Sequence, residues 1–259
     1  MVLTVLMMMV GGIGLAQASS QPHQVTPGWL RLGGLIALSL LAVAMTIGVS
    51  GPAAHGSANL WLLLALTTAS FTVQLLSVQL DGGGNVQRVG AAVGFGTSVT
   101  LVTLLLEPVR AASLPGSPWF SLSLTATISC GLLGGSLMTM LLGHQYLSAA
   151  RLSQRPFKRL IVLLAALVAL RALASVGLGL VPYLRQLEST TLSPWSAAMV
   201  VARYAVGLLV PGIFLWMVYD CAKRLANQSA TGILYVTLVL LIVGEGAALG
   251  LIKSTGRLF

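Results

Sequence analysis

The sequence predicts an all-α polytopic membrane bundle, and three observations carry that prediction. Of 259 residues, 56% are hydrophobic and only 7% are charged, against about a quarter charged in soluble domains. Apolar runs of about 20 residues, the length needed to cross the hydrocarbon core, occur eight times along the chain. Short, turn-rich connections separate them, none long enough for a soluble domain. We therefore read residues 1–259 as a single transmembrane domain of about eight helices.

The first run, Val2 to Ala18, ends in AQA followed by Ser, which resembles a signal-peptide cleavage site. It has no basic residue ahead of it, and cleavage would invert the charge bias described below, so we expect a retained helix. The second run, Trp29 to Val49, lies between SSQPHQVTPG and SGPAAHGS. The third, Ala58 to Leu80, and the fourth, Val89 to Leu106, flank DGGGN at Asp81 to Asn85. That loop has no Lys-Ser or Lys-Thr after it, so it reads as a turn and not as a phosphate cradle. The fifth, Trp119 to Leu147, follows EPVRAASLPGSP, and the sixth, Phe157 to Val181, follows SQRP. The seventh, Trp195 to Tyr219, and the eighth, Ala230 to Ile252, complete the set.

Basic residues orient the bundle. The chain has 14 Lys and Arg against 5 Asp and Glu, a formal charge of +9. Arg31, Arg88, Arg151, Arg155, Lys158, Arg159, Lys223 and Arg224 flank the odd-numbered connections, whereas Arg110, Arg185, Lys253 and Arg257 lie on the other side. By the positive-inside tendency the loop at 151–159 is expected in the cytoplasm of a bacterial-type inner membrane, with both termini outside. The bases do not form an aromatic-laced patch, so nucleic acid is not an expected partner. Basic residues are concentrated from Arg151 onward, which marks the second half as the functional or docking half.

Soluble-enzyme chemistry has no motif to stand on. CxxC, HExxH, GxxxxGK[ST] and GxSxG patterns are absent, and Cys130 and Cys221 have no metal-type spacing. The two halves share no repeated motif, which counts against an inverted-repeat transporter.

The strongest signal is a set of ionisable residues inside apolar helices: Arg171 in LVALRALASVG, Arg203 in VVARYAVGLL and Glu245 in LIVGEGAALG. Each costs roughly 2.5 to 3.5 kcal/mol to insert, so they need partners. Counting 1.5 Å per residue puts all three at about 10 to 15 Å below the outer surface. Antiparallel neighbours make a shared cluster with a surplus positive charge geometrically accessible; the alternative is one buried ion pair of Glu245, with the other arginine bonding backbone carbonyls or snorkelling outward. A lipid phosphate, a substrate carboxylate, a quinone carbonyl or an acidic partner helix would satisfy that surplus. Pro211, eight residues after Arg203, is expected to kink the seventh helix.

Weaker polar signals surround this set. Thr67, Ser70, Gln74 and Ser77 share one face of the third helix, and Thr125, Ser129, Ser136 and Thr139 line the fifth beside Gly131 and Gly135, a GxxxG pair. Interhelical packing explains both seams; a polar pathway between the third and fifth helices is the lesser alternative. His144 is of the axial-ligand type, but the other histidines, His23 and His55, lie in loops, and His55 is on the opposite side. We therefore expect neither haem nor chlorophyll, and keep a quinone or a structural lipid as candidate occupants. His144, Tyr146, Gln74 and Ser129 are the candidate quinone-adjacent residues, with Tyr146 in the interfacial aromatic belt.

Three functions fit these features. The first is a non-catalytic subunit of a larger, energy-transducing membrane complex, engaging lipids and other membrane subunits. The second is a small-solute transporter, for an anion or coupled to protons. The third, an intramembrane enzyme on lipid-linked substrates, lacks an evident carboxylate pair or His cluster.

Overall fold

The computed structural model describes residues 1–21, 24–50, 58–80, 84–110, 119–148, 153–180, 194–255 and 258–259. His23, His55, Asp81 to Gly83, Arg151, Arg185 and Arg257 lie outside them. Eight helices long and apolar enough to cross a membrane run through the described residues. They are α1 (Val2–Ser19), α2 (Pro27–Ser50), α3 (Ala58–Gln79), α4 (Gly84–Arg110), α5 (Trp119–Ser148), α6 (Arg155–Leu180), α7 (Pro194–Lys223) and α8 (Asn227–Thr255). The chain is a multi-pass membrane helix bundle.

Several helices outrun their apolar cores. α4 begins at Gly84 and not at Val89, α7 ends at Lys223, and α8 spans Asn227–Thr255. Polar residues at a bilayer surface can continue a helix because water satisfies their side chains, so hydropathy marks the buried part and not the ends. Prolines open α2 at Pro27 and α7 at Pro194, a position where the missing N–H costs nothing.

α5 is the axis of the molecule. Of the residues in its most apolar stretch, 83% are buried, against 28% for α7. α1 lies in the centre as well, packed between α4 and α5. A Cβ on Gly12 would stand 1.9 Å from the Cys130 carbonyl oxygen, and one on Gly134 would stand 2.1 Å from that of Met9. The two backbones touch, which only glycine permits. On the α4 side a Cβ on Gly14 would meet the Ala91 carbonyl at 2.7 Å. Gly135 admits Leu164 from α6, and Gly131 admits both Leu167 of α6 and Leu15 of α1. Buried Trp29 donates its indole N–H to the Met138 carbonyl at 3.0 Å, tying α2 to α5.

The α3 seam is buried as its spacing requires, but it does not face α5. Thr67 donates to Thr97 of α4 at 2.9 Å, and Gln74 donates to Gln17 of α1. Gln17 in turn donates to the Leu30 carbonyl at 2.9 Å. On α5, Ser136 and Thr139 bond carbonyls of their own helix. This corrects the alternative of a polar pathway between α3 and α5: α1 and α4 claim the α3 face, while on α5 Ser129 turns to Glu245 of α8 and Thr125 Oγ1 is buried without a partner.

Two stretches depart from α-helical winding. α6 continues beyond Ser175 as a π-helical segment, Val176–Leu180, and α7 is π-helical over Ala202–Leu209. Val210 donates its N–H to Ala205, five residues back. Pro211 offers no N–H to the preceding turn, and the wider winding lies immediately before it. Arg203 sits on this segment.

Candidate functional site

α6, α7 and α8 bring Arg171, Arg203 and Glu245 into direct contact. All three are sealed from the surface, with 1%, 0% and 1% of their area exposed. Arg171 meets the Glu245 carboxylate with two parallel bonds, Nε to Oε1 and Nη2 to Oε2, each 3.2 Å. Arg203 Nη1 donates to Oε1 at 2.9 Å, and the Ser129 hydroxyl of α5 donates to Oε2 at 2.9 Å. Four donors thus converge on one carboxylate, which fills its acceptor capacity. The bidentate fork is the geometry for which arginine, and not lysine, is suited.

Sequence spacing explains how the group assembles. Arg171 and Ser175 are four residues apart on one face of α6, and Arg203 Nη2 donates to the Ser175 hydroxyl at 3.2 Å. Tyr204, the next residue of α7, donates its hydroxyl to the Ser175 carbonyl at 2.8 Å. Glu245 reaches the arginines because α7 and α8 approach to backbone contact one residue away. A Cβ on Gly207 would lie 2.4 Å from Gly244 Cα, and one on Gly244 2.3 Å from Gly207 Cα.

Charge within the cluster does not cancel. Two guanidinium groups face one carboxylate, which leaves a net +1. Arg203 also keeps one buried atom without a hydrogen-bond partner, its Nε. A buried, charged donor left unpaired is costly, so the position is poised to take an acceptor.

Of the other candidates, only Ser129 joins this cluster. Gln74 belongs to the α1–α3 contact, where its Oε1 has no hydrogen-bond partner; nor has Nε2 of the buried Gln87 on α4. His144 is exposed near the far end of α5, 15 residues from Ser129, or about 22 Å along the helix. Tyr146 is buried and not part of an interfacial belt: its ring lies 5.5 Å from that of Phe157, and its hydroxyl donates to the Ser153 carbonyl. It fastens the start of α6 to the end of α5. Among the described residues, no three His, Cys, Asp or Glu side chains gather as metal ligands.

Ser175, Tyr204 and the Gly207–Gly244 contact are the parts that charge counting misses. Ser175 had a signal in its i, i+4 relation to Arg171, and Gly244 in its position beside Glu245. Comparisons with protein families, curated proteins and solved structures found no match.

Proposed function

We propose that the chain is a non-catalytic, multi-pass subunit of a larger membrane complex of the energy-transducing kind. Its Arg171, Arg203 and Glu245 cluster receives a strongly accepting or anionic group within the bilayer. The observation that carries this reading is the surplus charge on a sealed site whose Arg203 Nε lacks a partner. A bundle with brief connections and backbone-tight helix crossings suits a role as scaffold and ligand holder. The exposed basic residues Arg31, Arg88, Arg155 and Arg159 lie at one end of the bundle, which we assign to the cytoplasmic side of a bacterial-type inner membrane.

Purification in mild detergent, followed by mass analysis of associated proteins and of extracted lipids and quinones, tests the proposal. Stoichiometric partner proteins are expected, with a bound amphiphile that Arg203→Leu loses while the bundle stays folded. A solitary chain that moves a labelled anion in liposomes overturns it. Small-solute transport is the second reading, favoured by the π-helical stretches on α6 and α7 beside the cluster, since such windings recur at functional sites.

A further inference from the structure

A groove of about 670 Å³ runs between α6 and α7 on the outer surface of the bundle. Val168 and Ala172 form one wall, and Leu208, Gly212 and Trp216 the other, with Tyr204 at the end beside the cluster. From Tyr204 to Trp216 is 12 residues, about 18 Å along the helix. Apart from the tyrosine hydroxyl, these walls are aliphatic or aromatic. The groove is joined to the cluster through hydrogen bonds: Tyr204, which lines it, donates its hydroxyl to the Ser175 carbonyl, and Arg203 Nη2 donates to the buried Ser175 hydroxyl.

We infer that the occupant is an isoprenoid quinone, its tail in the α6–α7 groove and one head carbonyl accepting from Arg203 Nε. The inference rests on the proposal that the cluster receives an acceptor within the bilayer, and it names that acceptor. Depth is the first reason. Arg203 is nine residues into α7, about 13 Å from the helix end, below the level where phospholipid head groups reside. A phosphate drawn to that depth would lose its hydration, whereas a neutral quinone head already partitions into hydrocarbon.

Donor supply is the second reason. A phosphate brings several acceptor oxygens and is held by multiple charged donors, but Arg203 offers one unpartnered atom. A carbonyl oxygen needs no more than that. The groove is the third reason: a small hydrophilic solute gains nothing from an apolar channel, whereas a long apolar tail packs along its walls, a van der Waals gain for a chain already in hydrocarbon. Entry of the head requires Tyr204 to move off Ser175.

Trp216 lines the groove and is 71% exposed, so it reports on occupancy. The full chain in detergent is titrated with a decyl-tailed benzoquinone while tryptophan emission is followed, and Trp216→Phe identifies the part of the quenching that arises in the groove. Saturable quenching is expected. Arg203→Gln weakens it about tenfold, as loss of one charge-assisted hydrogen bond would. Gly212→Leu weakens it comparably by filling the groove, and it should fold normally because the new Cβ has only Val168 Cγ1, at 3.8 Å, nearby.

Non-saturable quenching, or saturable quenching indifferent to both substitutions, overturns the inference. So does displacement of the quinone by phosphatidylglycerol, which would assign the groove to an anionic lipid. If quinone binding fails while partner proteins still co-purify in an Arg203-dependent way, this inference falls and the subunit proposal stands. Saturable quinone binding by a chain that purifies alone gives the opposite outcome.

Discussion

α1 crosses α5 and α7 crosses α8 by the same device, glycine against glycine, yet the two crossings serve different ends. At Gly12 and Gly134 the backbones meet within a core of aliphatic side chains, where Ser136 and Thr139 bond carbonyls of their own helix. At Gly207 and Gly244 the approach sets Glu245 under two arginines, beside a helix wound out of α-helical register. The first crossing gains close packing and nothing else. The second uses the same closeness to hold charges in hydrocarbon, where contact distance decides whether a pair is tolerated.

The largest effect should come from breaking the first crossing. Gly12→Leu drives a side chain into the α5 backbone and should cost more than about 4 kcal/mol, seen as loss of the monodisperse peak in size-exclusion chromatography. Breaking the second crossing chemically comes next. Glu245→Gln leaves two buried arginines without their counter-charge and should destabilise by about 3–5 kcal/mol, read by thermal unfolding in detergent. Gln74→Leu removes the α1–α3 amide contact at the packing end and should cost about 1 kcal/mol in the same assay. Arg224→Ala sharpens the contrast from outside. Its pair with Asp220 spans 2.9 Å but has side chains 76% and 49% exposed, so stability should move by less than about 0.5 kcal/mol.

The two regions also differ in how far the sequence discloses them. Eight spans are legible because lipid forces each crossing segment to be long, apolar and helical. The depth of Arg171, Arg203 and Glu245 is legible for a related reason: ionisable groups are rare in such segments and need partners, so counting residues from the helix ends puts all three at one level, while their three-way contact, as against one ion pair and a separate arginine, is seen only in the structure. Small residues are not legible in this way. The GxxxG pair at Gly131 and Gly135 points to a close contact, but Gly134, between them, makes the backbone contact with α1, because one residue, about 100° around the helix, decides which glycine meets a neighbour's backbone.

The π-helical stretch at Arg203 was visible only as Pro211, which marks a distortion without specifying its form. Tyr146 illustrates the opposite error. An aromatic near a helix end fits an interfacial belt, yet here the chain folds back and Phe157 covers it. Position along a helix gives depth, whereas burial also depends on rotation and on what the next connection does.

The central claim is that the cluster carries one positive charge more than its carboxylate can balance. A double-mutant cycle in which thermal unfolding is measured for Glu245→Gln, Arg203→Gln and the pair together tests it most directly. Arg203→Gln alone should leave the Arg171 and Glu245 pair neutral and the melting temperature close to that of the unaltered chain. Added to Glu245→Gln, it should raise the melting temperature by removing one of two stranded charges. A double variant that melts below Glu245→Gln alone would contradict the account.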